Sequence, residues 1–294
     1  MSDAVYKQYC KEFEQACLNA LGNLNNHVAH HELFKILTPL WTLLGTATHE
    51  SIAINPTKEL LLSHLSAMGD AEKFLAVSSD KRFERLYSNE LRDASKAIAF
   101  TSYFDELVSD SVSLINAFAI YDYRGVVIAL RCMLEDLYRH LYYKDNRENF
   151  VRVHELGESE FSLELAPKDF RKHLSKASYL RPLGEMNWSF QVRGKTFHGH
   201  HALNDALYAA SSAYAHGASP NVLNQFSSNL DRAYSQIKAT ETTDLVRRFV
   251  ELAISYLLFA HKEYFARFNE ADKRVVLSAF TKIRRIELRR KISV

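Results

Sequence analysis

From Tyr121 to Tyr143 the chain reads YDYRGVVIALRCMLEDLYRHLYY, a stretch that predicts one long buried helix. Val127, Leu130, Leu134, Leu137 and Leu141 recur at steps of three and four residues, which aligns them on one helical face. Arg131 and Glu135 stand beside that stripe, one turn apart. Their order, basic before acidic, is the weaker one for a local helical ion pair, so both are expected to face other groups.

Working outward, Phe104, Leu107, Val108, Leu114, Ile115 and Phe118 form a stripe that predicts a helix over 104–119. The connection Tyr121–Gly125 is short enough to make the two helices an antiparallel hairpin. Further upstream, residues 4–24 read as a helix. So do residues 30–45, with Pro39 expected to kink or end that helix near Thr38. A third helix starts at Pro56 or Thr57, and residues 70–93 form a charged surface stretch. Downstream, Asp145-Asn146 ends the central helix. Residues 157–199 are the least regular part, mostly loop with a short helix over 167–174. Leu203 to Ala215 is helical, with Gly217 as its terminating residue. An amphipathic helix covers 221–238, and Thr243 or Asp244 caps the next, which runs to Phe268. The last helix uses Val276, Phe280, Ile283 and Ile286. The fold class is therefore all-α, an antiparallel helical bundle over 94–294 with an additional N-terminal helical layer over 1–93.

Composition agrees. The 294 residues include only nine glycines and five prolines, too few turn residues for a many-stranded sheet. A net charge of +2 argues against a general nucleic-acid coat. The start, MSDAVYKQYC, lacks a signal-peptide pattern, and no apolar run is long enough to span a bilayer, so the expected location is cytoplasmic without membrane association. The three cysteines, Cys10, Cys17 and Cys132, read as reduced thiols.

Phosphate-cradling glycine loops and the serine hydrolase elbow are absent. Histidines cluster at 27, 30 and 31 and at 198, 200 and 201, but without H-E-x-x-H or a cysteine pair. No metal and no cofactor is expected. Arg193 with His198, and Arg147 with His154, are arginine–histidine spacings in which a guanidinium could hold a phosphate and an imidazole could move a proton. His216 sits at the end of a helix, where the dipole favours the imidazolium, with Ser212 one turn back. The run Lys282, Arg284, Arg285, Arg289, Arg290, Lys291 would attract phosphate, although basic residues are normal on a terminal helix.

Two stretches carry a family resemblance. Asp122–Tyr143, with Arg131-x-x-x-Glu135, resembles a helix of HEPN-like bacterial proteins, and ALYAASSAYAHG, residues 206–217, resembles their later Ser-x-x-x-His-Gly segment. The matched positions are Arg131, Glu135, Ser212, Tyr214 and His216, and the resemblance spans about 102–268. It implies a cytoplasmic effector of bacterial antiphage defence, of abortive-infection type, acting on RNA as a metal-independent endoribonuclease. Arg131 or Arg193 would hold the phosphate, His216 or His198 would move the proton, and Glu135 would complete the site. Only the spacing from Arg193 to His198 matches the nuclease motif, since Gly194 stands where a polar residue is usual. The alternative that the resemblance admits is a non-catalytic module that binds a partner defence protein or nucleic acid. A homodimer is expected through helices between Phe104 and Tyr143, because Tyr121, Tyr123, Tyr138, Tyr142 and Tyr143 exceed what one stripe needs.

Overall fold

The computed structural model describes Lys11 and residues 28–54, 103–146, 149–150, 153, 159–160, 163, 165–215 and 235–292. Expectations for 4–24, 56–93, 147, 154 and 216–234 lie outside them. Described elements, in order, are α1 (Val28–Ile54), α2 (103–119), α3 (Tyr123–Asp145), α4 (Pro167–Leu174), a 3-10 turn (Ser178–Leu180), α5 (Arg181–Gly184), β1 (Ser189–Val192), β2 (Lys195–His198), α6 (Gly199–Ala215), α7 (Gln236–Ala260), α8 (Lys262–Arg267), α9 (Glu270–Leu277) and α10 (Lys282–Ile292). The protein is mostly helical, with one two-stranded sheet among the described residues.

The turn into α3 shows how the sequence builds the hairpin. Tyr121 takes a left-handed conformation, φ 59°. Its N–H donates to the Phe118 carbonyl at 3.0 Å, and the Asp122 N–H donates to the Ala117 carbonyl at 2.8 Å. These two bonds close the end of α2 as a Schellman motif. Asp122 then caps α3, its side chain accepting from the Gly125 N–H at 2.9 Å. A Cβ on Gly125 would lie 2.8 Å from Asp122 Oδ2 and 3.1 Å from Ala117 Cβ, so glycine lets cap and hairpin approach.

The central helix packs against α4, α6 and α7, while α1 packs against α7, α8 and α9. Its five leucine and valine positions are all buried. Leu33, Leu37, Leu40 and Leu44 of α1 belong to the same core as α3, and Trp41 Nε1 donates to Ser111 Oγ of α2 at 2.7 Å. The boundary expected at residue 93 lies outside the described residues, but α1 shares one core with the bundle.

Several expectations are corrected. The helix expected over 30–45, to be kinked or ended by Pro39, does not end near Thr38: α1 continues through Pro39 to Ile54. Proline forfeits one backbone bond there, while buried leucines on both sides, Leu37 and Leu40, anchor the helix to the core. Nor do Thr243 or Asp244 start a helix, because α7 already begins at Gln236, with Ser235 as cap. Ala239, Thr242 and Thr243 are buried, so the inner stripe extends through threonines that resemble caps in sequence. The helix breaks at His261, short of Phe268. Within 157–199, β1 and β2 pair antiparallel around Arg193 and Gly194, whose φ values of 49° and 74° make a type I′ turn. Ile283 and Ile286 are exposed; α10 instead buries Leu288 and Ile292. Finally, Tyr121, Tyr123, Tyr138, Tyr142 and Tyr143 are all buried within the chain's own core, which removes the aromatic surplus as a reason for a dimer.

Candidate functional site

The two family-like stretches meet. On α6, Asn204, Tyr208 and Ser212 follow one another at four-residue steps and form a ridge. On α3, Arg131, Glu135 and Tyr138 face it. Arg131 Nη1 donates to Ser212 Oγ at 2.7 Å. Arg131 Nε and Nη2 both lie 2.7 Å from Glu135 Oε1. The pair expected to look elsewhere is thus formed, with Ser212 as its third member. Packing beneath the guanidinium explains why the weaker order suffices: its carbon lies 3.4 Å from the Tyr208 ring centroid, a close cation–π contact. Tyr138 stacks on Tyr208 at 6.4 Å and donates its hydroxyl to Asn204 Oδ1 at 2.7 Å. His216, four residues beyond Ser212 in the sequence, lies outside the described residues.

Arg171 is the residue that sequence reading missed. Its guanidinium carbon lies 4.0 Å from the same Tyr208 centroid, and its Nη2 is 3.8 Å from Asp205 Oδ1. The Arg171 side chain is 31 % exposed against 8 % for Arg131, so it is the arginine a ligand can reach. Its Nε is buried without a hydrogen-bond partner. No motif surrounds it; only the helix α4, itself legible, could have marked it for attention.

The polar face of α3 continues toward its C-terminus. Glu135 Oε2 lies 3.7 Å from Arg139, whose Nε donates to Glu160 Oε1 at 3.0 Å. Tyr143 donates its hydroxyl to the same oxygen at 2.9 Å. Burial first, then the Glu160 charge, pushes the Tyr143 phenol well above its ordinary range. Asp136 hydrogen-bonds Asp110 of α2; burial and the neighbouring carboxylate push it up to about 7. Further along, His140 Nε2 and His261 Nε2 lie 2.8 Å apart in the core beneath Phe104. Such a contact needs one ring to donate and the other to accept, so the two cannot both be imidazolium. Burial drives His140 down to about 3 and His261 well below its usual value.

The other sequence candidates do not join this cluster as a pair. Arg193 is exposed in the hairpin turn and His198 is exposed in β2 opposite Ser189. The three residue steps from Lys195 to His198 span about 10 Å of strand, so the two residues occupy opposite ends of the hairpin. His200 is buried beside Trp188 at 5.0 Å and Phe190 at 5.4 Å, and burial lowers it to about 4. Among the described residues no group of three or more His, Cys, Asp and Glu side chains is arranged to hold a metal ion.

A second arginine–glutamate cluster anchors the hairpin. Glu251 Oε2 of α7 accepts from Arg248 Nη1 at 2.8 Å and Arg284 Nη1 at 3.2 Å. Arg248 Nε donates to the Gln191 carbonyl at 3.2 Å, and Arg284 Nη2 to the Ser189 carbonyl. Arg284 also covers Phe190 at 4.5 Å and Trp188 at 5.0 Å. Part of the basic C-terminal run is therefore spent on structure, as is Lys291, 2.7 Å from Glu185.

No helix among the described residues is long and apolar enough to cross a membrane. No protein-family model, curated protein or solved structure matches the chain.

Proposed function

We propose that the chain is a HEPN-like helical effector of bacterial defence that cleaves RNA without a metal, at the junction of α3 and α6. The carrying observation is the hydrogen bond from Arg131 to Ser212, which unites the Arg-x-x-x-Glu stretch with the segment ending in His216. In this reading Arg171, the more exposed guanidinium, takes the scissile phosphate, since an arginine fork matches phosphate oxygens. Arg131 is a positioning residue: Glu135, Ser212 and Tyr208 hold its plane fixed beside the same ring. Its remaining N–H groups add positive charge where the pentavalent phosphorus gathers negative charge. His216 takes the proton from the attacking 2′-hydroxyl; as the O2′–P bond forms, the P–O5′ bond breaks and the leaving 5′-oxygen takes a proton from water, giving a 2′,3′-cyclic phosphate and a 5′-hydroxyl end.

A second reading has its own observation. The Arg131 side chain is only 8 % exposed and already bound by Glu135 and Ser212, which suits a purely structural pair inside a module that binds a defence partner. Incubating the purified chain with total RNA, with and without EDTA, separates these readings. EDTA-resistant cleavage that disappears in both Arg171→Ala and His216→Ala supports the nuclease. Cleavage abolished by EDTA overturns it, and no cleavage at all leaves the binding module.

A further inference from the structure

Positive charge is concentrated on α4 and the turn that follows it. Residues 167–181 hold Lys168, Arg171, Lys172, Lys176 and Arg181 against one carboxylate, Asp169, a surplus larger than the +2 of the whole chain. That carboxylate is turned back on the start of α4, where it accepts from the Ala166 N–H at 3.1 Å. Phe170 and Leu174 bury the inner face, and Asp145 of α3 holds His173 at 2.8 Å. Lys168 and Lys172 stand one turn apart on the outer face, and both are exposed. Ser175 keeps helical backbone angles beyond the end of α4, so the exposed Lys176 prolongs the row. The ion pairs that α4 forms among the described residues belong to Arg171 and His173, which leaves the three lysines without one. Arg171, three residues after Lys168 and so its neighbour on the helix surface, lies over Tyr208 in the candidate site.

The row spans about 12 Å and runs beside the guanidinium that faces solvent in the site. Its exposed groups are Lys168, Lys172, Ser175 and Lys176, with no aliphatic or aromatic side chain among them. A protein partner needs an apolar centre to offset the desolvation of such charges. A phosphate backbone needs none, because each cation it meets releases a condensed counterion. The basic face of α10 is the contrary case: Ile283, 79 % exposed, and Ile286 protrude among Lys282, Arg285 and Arg289. We propose that α4 is the track for the substrate backbone, with Lys168, Lys172 and Lys176 neutralising phosphates that flank the one on Arg171. This rests on the RNA reading above and adds that α4, and not the basic run of α10, holds the strand. The lysines touch no reacting atom. They are positioning residues, point charges on flexible stems that hold a backbone without reading its bases.

The test is fluorescence anisotropy of the full chain with a labelled 2′-O-methyl RNA of about 12 nucleotides, whose blocked 2′-oxygens prevent cleavage, between about 50 and 200 mM KCl. Replacing Lys168, Lys172 and Lys176 together by glutamine should lower the salt slope by about 2, at about 0.7 per phosphate of a single strand, and weaken binding at least about tenfold at the lowest salt. Replacing Lys282, Arg285 and Arg289 of α10 by glutamine removes the same charge and should weaken binding less than about threefold. An unchanged slope in the α4 variant, or an equal loss in the α10 variant, overturns the proposal. So does a wild type that fails to bind at about 100 µM, or a probe displaced equally well by poly-glutamate at the same charge, the mark of an acidic protein partner. Should the α4 variant misfold by circular dichroism, Lys172→Gln alone should lower the slope by about 0.7, and an unchanged slope there overturns the proposal equally. Cleavage is read separately, on unmodified RNA in EDTA. Binding through α4 without cleavage would sink the nuclease reading and leave the track standing, whereas cleavage with an unchanged slope in the α4 variant would do the reverse.

Discussion

The arginine–glutamate clusters at Glu251 and at Arg131 are built from the same groups, and they differ in how much water they meet. Around Glu251, 5 % exposed as a side chain, two arginines converge from α7 and α10 and reach on to backbone carbonyls of the hairpin. Around Arg131, the carboxylate of Glu135 keeps 24 % exposure and a neighbouring arginine stands open. A charge sealed inside loses everything if its partner goes, whereas a charge at a wet rim can turn to solvent. The first arrangement suits an anchor and the second suits a site.

The largest effect should therefore come from Glu251→Ala. It leaves the half-buried Arg248 and Arg284 without the carboxylate they share and loosens β1 and α10 together, at a cost of about 3 kcal/mol. Urea unfolding at neutral pH measures this, and a loss below about 1 kcal/mol would mean that the cluster is not the anchor described. Arg131→Ala is the counterpart. Glu135 can rehydrate, so the loss should be about 2 kcal/mol, with RNA cleavage reduced far more than stability explains. If Arg131→Ala costs as much as Glu251→Ala and the soluble fraction keeps its activity, the contrast between anchor and site collapses.

Where each cluster lies was unequally legible. The cluster of Arg131, Glu135 and Ser212 could be read because its parts sit in two short stretches with helical spacing, and the start of α3 carries its own signals, Asp122 and Gly125. The anchor could not be read. Arg248 and Glu251 are one turn apart on α7, but Arg284 lies 33 residues beyond Glu251, and nothing local marks a hairpin whose strands have only four residues each. Pro39 and Thr243 misled for a related reason: they are helix breakers or caps by local preference, and buried side chains on α1 and α7 outweigh that preference. Arg171 escaped because a cation becomes part of a site only through the ring it lies against, and Tyr208 is 37 residues further along. The exposed Ile283 and Ile286 matched a helical stripe, but α10 turns Leu288 and Ile292 inward instead.

A third region sharpens the comparison through pH. His140 and His261 are buried neutral, with folded values below the ordinary 6.5. The unfolded chain then binds protons that the folded chain refuses, so stability is full above about pH 6.5 and falls as pH drops toward the folded value of about 3. Asp136 has the opposite sign. Its folded value of about 7 exceeds the ordinary 3.8, so its contribution is best below 3.8 and worsens as pH rises through 7. For His140 alone, going from pH 6.5 to 5 should cost about 2 kcal/mol. Replacing His140 and His261 together by leucine and phenylalanine should flatten that acid limb. A limb unchanged in the double variant would assign the acid sensitivity to groups elsewhere.

The smallest expected effect concerns Arg193, which belongs to neither cluster. It occupies the first central position of the type I′ turn at φ 49°, a conformation costly for a side chain with a Cβ. Asparagine tolerates that conformation and would create Asn-Gly, the preferred pair for this turn. Arg193→Asn should therefore stabilise the hairpin, by about 0.5 kcal/mol, against the losses expected at Glu251 and Arg131. The sign is the informative part. If Arg193 holds the phosphate, as its spacing to His198 first suggested, the variant gains stability and loses cleavage. If the site is the junction of α3 and α6, it gains stability and cleaves as before. Chemical denaturation and the RNA assay on this one variant thus locate the chemistry at the hairpin tip or beside Tyr208. Lost cleavage in Arg193→Asn with retained cleavage in Arg171→Ala would move the site to the hairpin.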